Sequence, residues 1–238
     1  MGLMETVIKG TQPTAPKGIL YGPPCIGKTT FGAQSGGVII DCENGAGLVK
    51  DAQRSPYLDT WADIEKWLKA VETEQHGHNA VVIDTLDWML RRIEEHVSGA
   101  TKKTEATLNK SHGGYGNGKQ VLKNYIYSVL LPQLDRIVNK GIAVILLAHA
   151  SRHEITDPDG IVIEKTAPDV PHEYLSIIVE WSDFVCLAYQ GQDERLLLTT
   201  ETNKAVAKNR YALPATLPFS WAAFSNAIND GMTKTFAQ

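Results

Sequence analysis

The run Gly22-Pro23-Pro24-Cys25-Ile26-Gly27-Lys28-Thr29 constrains this chain more than any other stretch. It fits G-x-x-x-x-G-K-[ST], the spacing of a phosphate-cradling loop. A polyphosphate carries dense negative charge and needs many donors at close range. Glycine lets successive backbone N–H groups turn inward without a Cβ in the way. Lys28 is then expected to reach the β- and γ-phosphates of a nucleoside triphosphate, and the Thr29 hydroxyl to ligate Mg²⁺. Gly18–Tyr21 reads as a short buried strand before the loop, and Thr29 to Gln34 as the helix after it. Candidate nucleotide contacts are Gly22, Pro23, Pro24, Cys25, Ile26, Gly27, Lys28, Thr29 and Thr30. Cys25, a thiol near a helix start, reads as a small residue tolerated at a variable loop position.

Four apolar stretches look like inner strands of a parallel sheet: Gly18–Tyr21, Val38–Asp41, Ala80–Asp84 and Ile142–His149. Helical spacing links them. It runs through Trp61, Ile64, Trp67, Leu68 and Val71, then Leu86, Leu90, Ile93 and Val97, and then from Val121 to Val138. Such alternation predicts βαβ units with right-handed crossovers. From Phe184 the pattern changes to an antiparallel hairpin, Phe184–Tyr189 and Arg195–Thr200 around Gly191-Gln192-Asp193. Ala205–Lys208 suggests a further strand and Phe219–Ile228 a closing helix. Residues 98–119 and 150–171, rich in Gly and Pro, are expected to be long irregular loops.

Three acids and a histidine end these strands. Asp84 closes an apolar run at a suitable distance from the phosphate loop and is expected to hold the Mg²⁺ shell with Thr29. Thr85 and Asp87 beside it read as capping residues. After Val38-Ile39-Ile40, Glu43 is the candidate base that polarises water toward the γ-phosphate, with Asp41 as the alternative. His149 ends the fourth strand, where a polar side chain senses that phosphate. His76-Gly77-His78 reads as a plain polar turn, and Trp61 with Trp67 as core or interface.

With these residues the chain resembles the RecA-like P-loop ATPases, which include RecA-type recombinases and DnaB-type helicases. The resemblance rests on GPPCIGKTT, VIIDCE, VVIDT and AVILLAH, and on Ala207-Lys208-Asn209-Arg210. It covers roughly residues 17–215. The pattern is most similar to short phage nucleotide-binding proteins of the Sak-type single-strand annealing group. The resemblance implies an α/β fold, a RecA-like P-loop NTPase core with a mainly parallel central sheet flanked by helices. An antiparallel C-terminal extension follows, with residues 216–238 a last strand and helix of one single domain. It also implies that Lys208 and Arg210 complete a neighbouring subunit's site, so that a ring or filament of identical chains is the working form.

In such proteins the loops after the second acidic strand and after the sensor strand bind single-stranded DNA. The matching segments here carry Lys102, Lys103, Lys110, Tyr115, Lys119 and Arg152 as candidate contacts. Tyr115 would stack on a base and the lysines would follow phosphates. The second segment is more acidic than basic, so a single-strand-binding protein that delivers the strand is an expected partner.

Composition limits the alternatives. A net charge of −4 in 238 residues argues against a uniformly basic nucleic-acid coat. Three scattered cysteines suit a reducing compartment, and no apolar run approaches the ~20 residues of a membrane span. The expectation is a cytoplasmic protein without a membrane partner. Its expected work is Mg²⁺-dependent ATP hydrolysis on single-stranded DNA in phage or bacterial recombination or annealing. A DnaB-like helicase motor, a nucleotide-gated adaptor and a small-molecule or nucleotide kinase are the alternatives.

Overall fold

The computed structural model describes residues 2–7, 14–100, 106–156 and 159–236. Its centre is a parallel array built from the four apolar stretches. They form β1 (Lys17–Gly22), β2 (Val38–Asp41), β3 (Ala80–Asp84) and the inner half of β4 (Ala143–Thr156). Strand β6 (Phe184–Gln190) adds a fifth parallel member beside β1. The antiparallel β7 (Arg195–Leu198) and β9 (Thr216–Pro218) continue the sheet, giving the order β2-β3-β4-β1-β6-β7-β9. The expected α/β fold, mostly parallel with an antiparallel extension, is the observed one.

Period-two alternation along the inner strands sends side chains to two apolar layers. Ile19, Tyr21, Ile40, Val81, Ile83, Val144 and Leu146 point into one. That layer is covered by α2 (Trp61–Thr73), α3 (Leu86–Ser98), α5 (Leu131–Asn139) and α6 (His172–Trp181). Leu20, Ile39, Val82, Ile145, Leu147 and Cys186 face the other layer, which α1 (Lys28–Ala33) and α7 (Trp221–Phe236) cover. Gly32 on α1 sits so close to the sheet that a Cβ there would lie 2.8 Å from Val82 Cγ1. An aromatic group of Phe31, Phe219, Trp221 and Phe224 fixes α1 to α7; the Phe31 and Phe219 rings stack at 5.2 Å.

Three expectations need correction. Residues 150–171 are not an irregular loop. β4 runs on past His149 to Thr156 and pairs antiparallel with β5 (Val162–Pro168), with Asp157 and Pro158 of the expected turn outside the described residues. Exposure alternates along this outer half, as in a strand with one wet face, but its polar composition hid that period. The run Val121–Val138 is not one regular helix. It consists of α4 (Asn117–Tyr125), a π-helical turn at Ile126–Leu130, and α5. The expected strand at Ala205–Lys208 is reduced to β8 (Lys208–Asn209) against β6 and a bridge from Ala205 to Thr166. Helix α6 was not foreseen. It starts after Pro171 and buries Tyr174, Leu175, Ile177 and Ile178.

Candidate nucleotide site

Register decides which residues meet. In the parallel ladder Asp41 lies beside Asp84, Asp84 beside Leu147, and Gly22 beside His149. The C-terminal ends of β1, β2, β3 and β4 therefore share one edge of the sheet, with the phosphate-loop residues at its centre. Ligands of open α/β sheets bind beyond the carboxyl ends of the strands. Gly27 in that loop has φ 107°, a left-handed backbone that suits glycine.

Lys28 is buried, and its ammonium donates to the carbonyls of Gly22 and Pro23, each at 3.1 Å. Burial lowers its pKa, opposed by the nearby charges of Asp84, Glu43 and Asp87. The Thr29 hydroxyl donates to Asp84 Oδ2 at 2.8 Å. Asp84 is 2% exposed, and its pKa is pushed up to about 6, first by burial and then by Glu43 and Asp41; the Thr29 hydrogen bond opposes the rise.

No group of three or more His, Cys, Asp or Glu residues suited to a metal occurs among the described residues. Thr29 with Asp84 still fits Mg²⁺. That ion keeps several waters and takes one or two protein oxygens together with substrate phosphates. The two side chains supply a hydroxyl oxygen and a carboxylate at the edge of the phosphate loop.

Asp41 and Glu43, the two candidate bases, differ in their commitments. Asp41 is fully buried, and its Oδ1 accepts from the N–H groups of Asn44 and Gly45 at 2.7 and 3.3 Å. It therefore shapes the turn after β2. Glu43 projects from that turn and brings Oε1 within 3.6 Å of His149 Nε2. His149 is in turn fixed by Asp87, which accepts the His149 backbone N–H at 3.1 Å and pairs with Nδ1 at 2.9 Å. The Asp87 hydrogen bond raises the pKa of His149, and burial opposes it. Asp87 is thus a positioning residue for the histidine, a role that its place at a helix start did not reveal.

Arg195 is a second residue that sequence reasoning missed. Its Nη1 donates to the Ile26 carbonyl at 2.9 Å, and its guanidinium lies over the Phe219 ring. A Cβ at Gly27 would come within 2.9 Å of that Nη1. The antiparallel extension thus braces the loop from outside, through one arginine that no motif marks.

Lys208 and Arg210 lie elsewhere. β8 pairs with the first residues of β6, and those lie beside Gly18 at the start of β1. The loop follows the other end of β1, four residues on, or roughly 13 Å along a strand. Lys208 Nζ donates to the carbonyls of Val179 and Glu180 at 2.8 and 2.7 Å, and Arg210 pairs with Asp183 at 2.9 Å. Both side chains reach the junction of α6 and β6, at the sheet edge opposite their own phosphate loop.

Among the DNA candidates, Tyr115 is fully exposed between Gly114 and Gly116, and Lys110 is exposed as well. Lys119 is paired with Glu173 and Arg152 with Glu164. Lys102 and Lys103 lie outside the described residues. Of the cysteines, Cys25 is exposed, while Cys42 and Cys186 are buried. Burial pushes the Cys186 thiol up to about 12. No described helix is long and apolar enough to cross a membrane.

A family model described as an AAA domain matches residues 14–211. The chain belongs to this AAA-domain family. The match spans the phosphate loop, all four strand ends of the candidate site, and the segment with Lys208 and Arg210. No curated protein matches in sequence. Among solved structures, the chain is similar to one titled "Crystal structure of the RadB recombinase". The identity is 12%, 88% of this chain and 90% of that one are covered, and the TM-score is 0.47.

Proposed function

We propose that this AAA-domain protein is a Mg²⁺-dependent ATPase of RecA-like type that acts on single-stranded DNA in recombination or strand annealing, in a phage or bacterial setting. The observation that carries the ATPase reading is the strand register. It gathers Lys28, Thr29, Asp84, Glu43 and His149 around one loop. Lys28 would leave its two carbonyls to bind the β- and γ-phosphates, and backbone N–H groups of residues 22–29 would take the remaining oxygens. When bound through Thr29 and Asp84, Mg²⁺ supplies charge neutralisation across those phosphates. Glu43 would accept the proton of the attacking water, with its carboxylate oriented by His149. Asp87 holds the ring in one orientation and favours its protonated form, in which Nε2–H faces the Glu43 carboxylate.

The DNA reading is supported by Tyr115, an exposed aromatic on a glycine-flanked loop, and by Lys110 nearby. The pairing of Lys119 and Arg152 with acids supports a strand delivered by a single-strand-binding partner. Placement of Lys208 and Arg210 away from their own loop supports action on a second copy's site, in a ring or filament. Each would first have to leave its present contacts. An arginine supplied in trans is worth about 10³–10⁵ in rate.

The test is ATP hydrolysis with and without single-stranded DNA, for wild type, Glu43→Gln and Arg210→Ala, with nucleotide binding measured in parallel. The expected result is DNA-stimulated turnover that collapses in both variants while binding persists. Turnover indifferent to DNA and to Arg210 would overturn the motor reading and favour a nucleotide-gated adaptor or a kinase.

A further inference from the structure

Two cavities of about 180 and 320 Å³ open between α3, α4 and the start of α6, and they share Glu94, Pro171 and Tyr174 as walls. Four carboxylates line them: Asp87, Glu94, Asp169 and Glu173, against the cations Arg91 and Lys119. Lys119 is already paired with Glu173, and Arg91 lies over the Trp88 ring. The Tyr174 hydroxyl makes no hydrogen bond of good geometry, although the residue is 3% exposed and the Glu173 carboxylate lies within interaction range of it. A buried hydroxyl with incomplete hydrogen bonding is costly and favours a ligand that completes it. Glu173 and Glu94 lie close enough for their charge to add to the effect of burial on the phenol. Burial likewise raises the Glu94 carboxyl. The wall is therefore rich in acceptors, carries excess negative charge, and holds a phenol whose hydrogen bonding is incomplete.

We propose that this cavity receives a guanidinium group, whose planar fork of donors matches carboxylates and a phenolic oxygen at once. The carboxylates Glu94 and Asp169, which line the smaller cavity together, suit a cation with several donors better than a phosphate, which four acids would repel. The source is either a free guanidino compound or an arginine side chain of another polypeptide.

The site is wired to the nucleotide edge through His149. Asp87, in the cavity wall, holds both the backbone N–H and the ring of His149. Asp169, also in the wall, donates its backbone N–H to the His149 carbonyl at 2.8 Å. His149 faces Glu43 from the other side. A cation drawn against Asp87 and Asp169 shifts the balance of charge on the imidazole and so changes nucleotide affinity or turnover. This coupling rests on the ATPase reading; the binding site does not.

N-acetyl-arginine amide and agmatine are titrated into the full chain at constant ionic strength, followed by calorimetry, with N-acetyl-lysine amide as the comparison. Saturable binding of one guanidino probe per chain is expected. It should weaken about tenfold in Glu94→Gln and about fivefold in Tyr174→Phe, the latter keeping the ring and its packing. Thermal melts of both variants confirm folding. Preference for the amide assigns the source to a polypeptide, and preference for agmatine to a free compound. Absence of saturation, equal affinity for the lysine probe, or unchanged affinity in both variants overturns the site. Coupling is read as a change of about fivefold in the affinity of a fluorescent ATP analogue at saturating probe. A probe that binds without moving that affinity overturns the coupling alone. If the analogue does not bind at all, the ATPase reading fails while the guanidinium titration still stands or falls by itself.

Discussion

Lys28 and Lys208 sit in regions of like local chemistry and unlike surroundings. Lys28 is buried and Lys208 half-buried, and each donates to two main-chain carbonyls, those of Gly22 and Pro23 for one and those of Val179 and Glu180 for the other. Burial lowers the pKa of both. Around Lys28 the next influences are the acids Asp84, Glu43 and Asp87, whereas around Lys208 the next is the positive charge of Arg210. Lys208 holds the last carbonyls of a helix, a stable use of a cation. Lys28 holds a loop whose carbonyls need no lysine to close a helix, within a ring of carboxylates. The first arrangement completes a structure, and the second keeps a charge in reserve for a ligand.

Four measurements break or sharpen that contrast. Lys28→Met is expected to lower ATP turnover by about 10²–10³, the size of loss seen when one electrostatic donor leaves a reacting centre. Its melting temperature should change little, because release from burying an ammonium offsets the loss of its two bonds to loop carbonyls. A marked fall in stability would place Lys28 with the structural lysines. Lys208→Met should do the reverse, costing about 1–3 kcal/mol of stability in denaturant titration as the helix carbonyls lose their donor. Nucleotide affinity of the isolated chain should not change. If it does, the two regions are connected in a way that their separation on the sheet does not explain.

The pH dependence of the metal site should be intermediate. The raised pKa of Asp84, about 6, means that its carboxylate is ionised at pH 8 and protonated at pH 5. Mg²⁺ competes with that proton, so apparent affinity should fall about tenfold per pH unit below 6. A flat profile in isothermal titration would remove Asp84 from the metal shell. For the fold itself the sign is opposite: the raised carboxyl contributes stability at low pH that is lost as pH rises through about 6. Arg210→Ala should have the smallest effect on folding, below about 1 kcal/mol, because its partnership with Asp183 is half-exposed.

The site was legible wherever an apolar run ended in a polar residue. VVID and VIID announce both a strand and the position of its last carboxylate, and the register then follows from parallel pairing. What stayed hidden had no period or motif to report it. The outer half of β4 carries Ser151, Arg152, His153 and Glu154, and polar residues of this kind read as loop until a partner strand supplies hydrogen bonds. Arg195 braces the loop across 169 residues of sequence, and Asp87 meets His149 across 62. Contacts of that range come from the tertiary fold, so inspection of neighbouring residues does not find them.

The π-helical turn at Ile126–Leu130 has a consequence for how this chain tolerates change. Leu122, Ile126, Leu130 and Leu134 are all buried, each four residues after the last. In an α-helix every such step overshoots a full turn by roughly 40°, so three steps would carry Leu134 about a third of the way round the axis. The wider turn, with its i→i+5 bonds, takes up that drift and keeps all four side chains against the core. It works as a phase corrector. Removing one residue between Ile126 and Leu130 would let this turn close as ordinary α-helix, leaving Leu134 within roughly 20° of the face of Leu122. Leu134 and Ile137 would then stay against the core, whereas one further inserted residue would swing them by roughly 100°, and a polar substitution at exposed Tyr127 within the same turn would leave the frame intact.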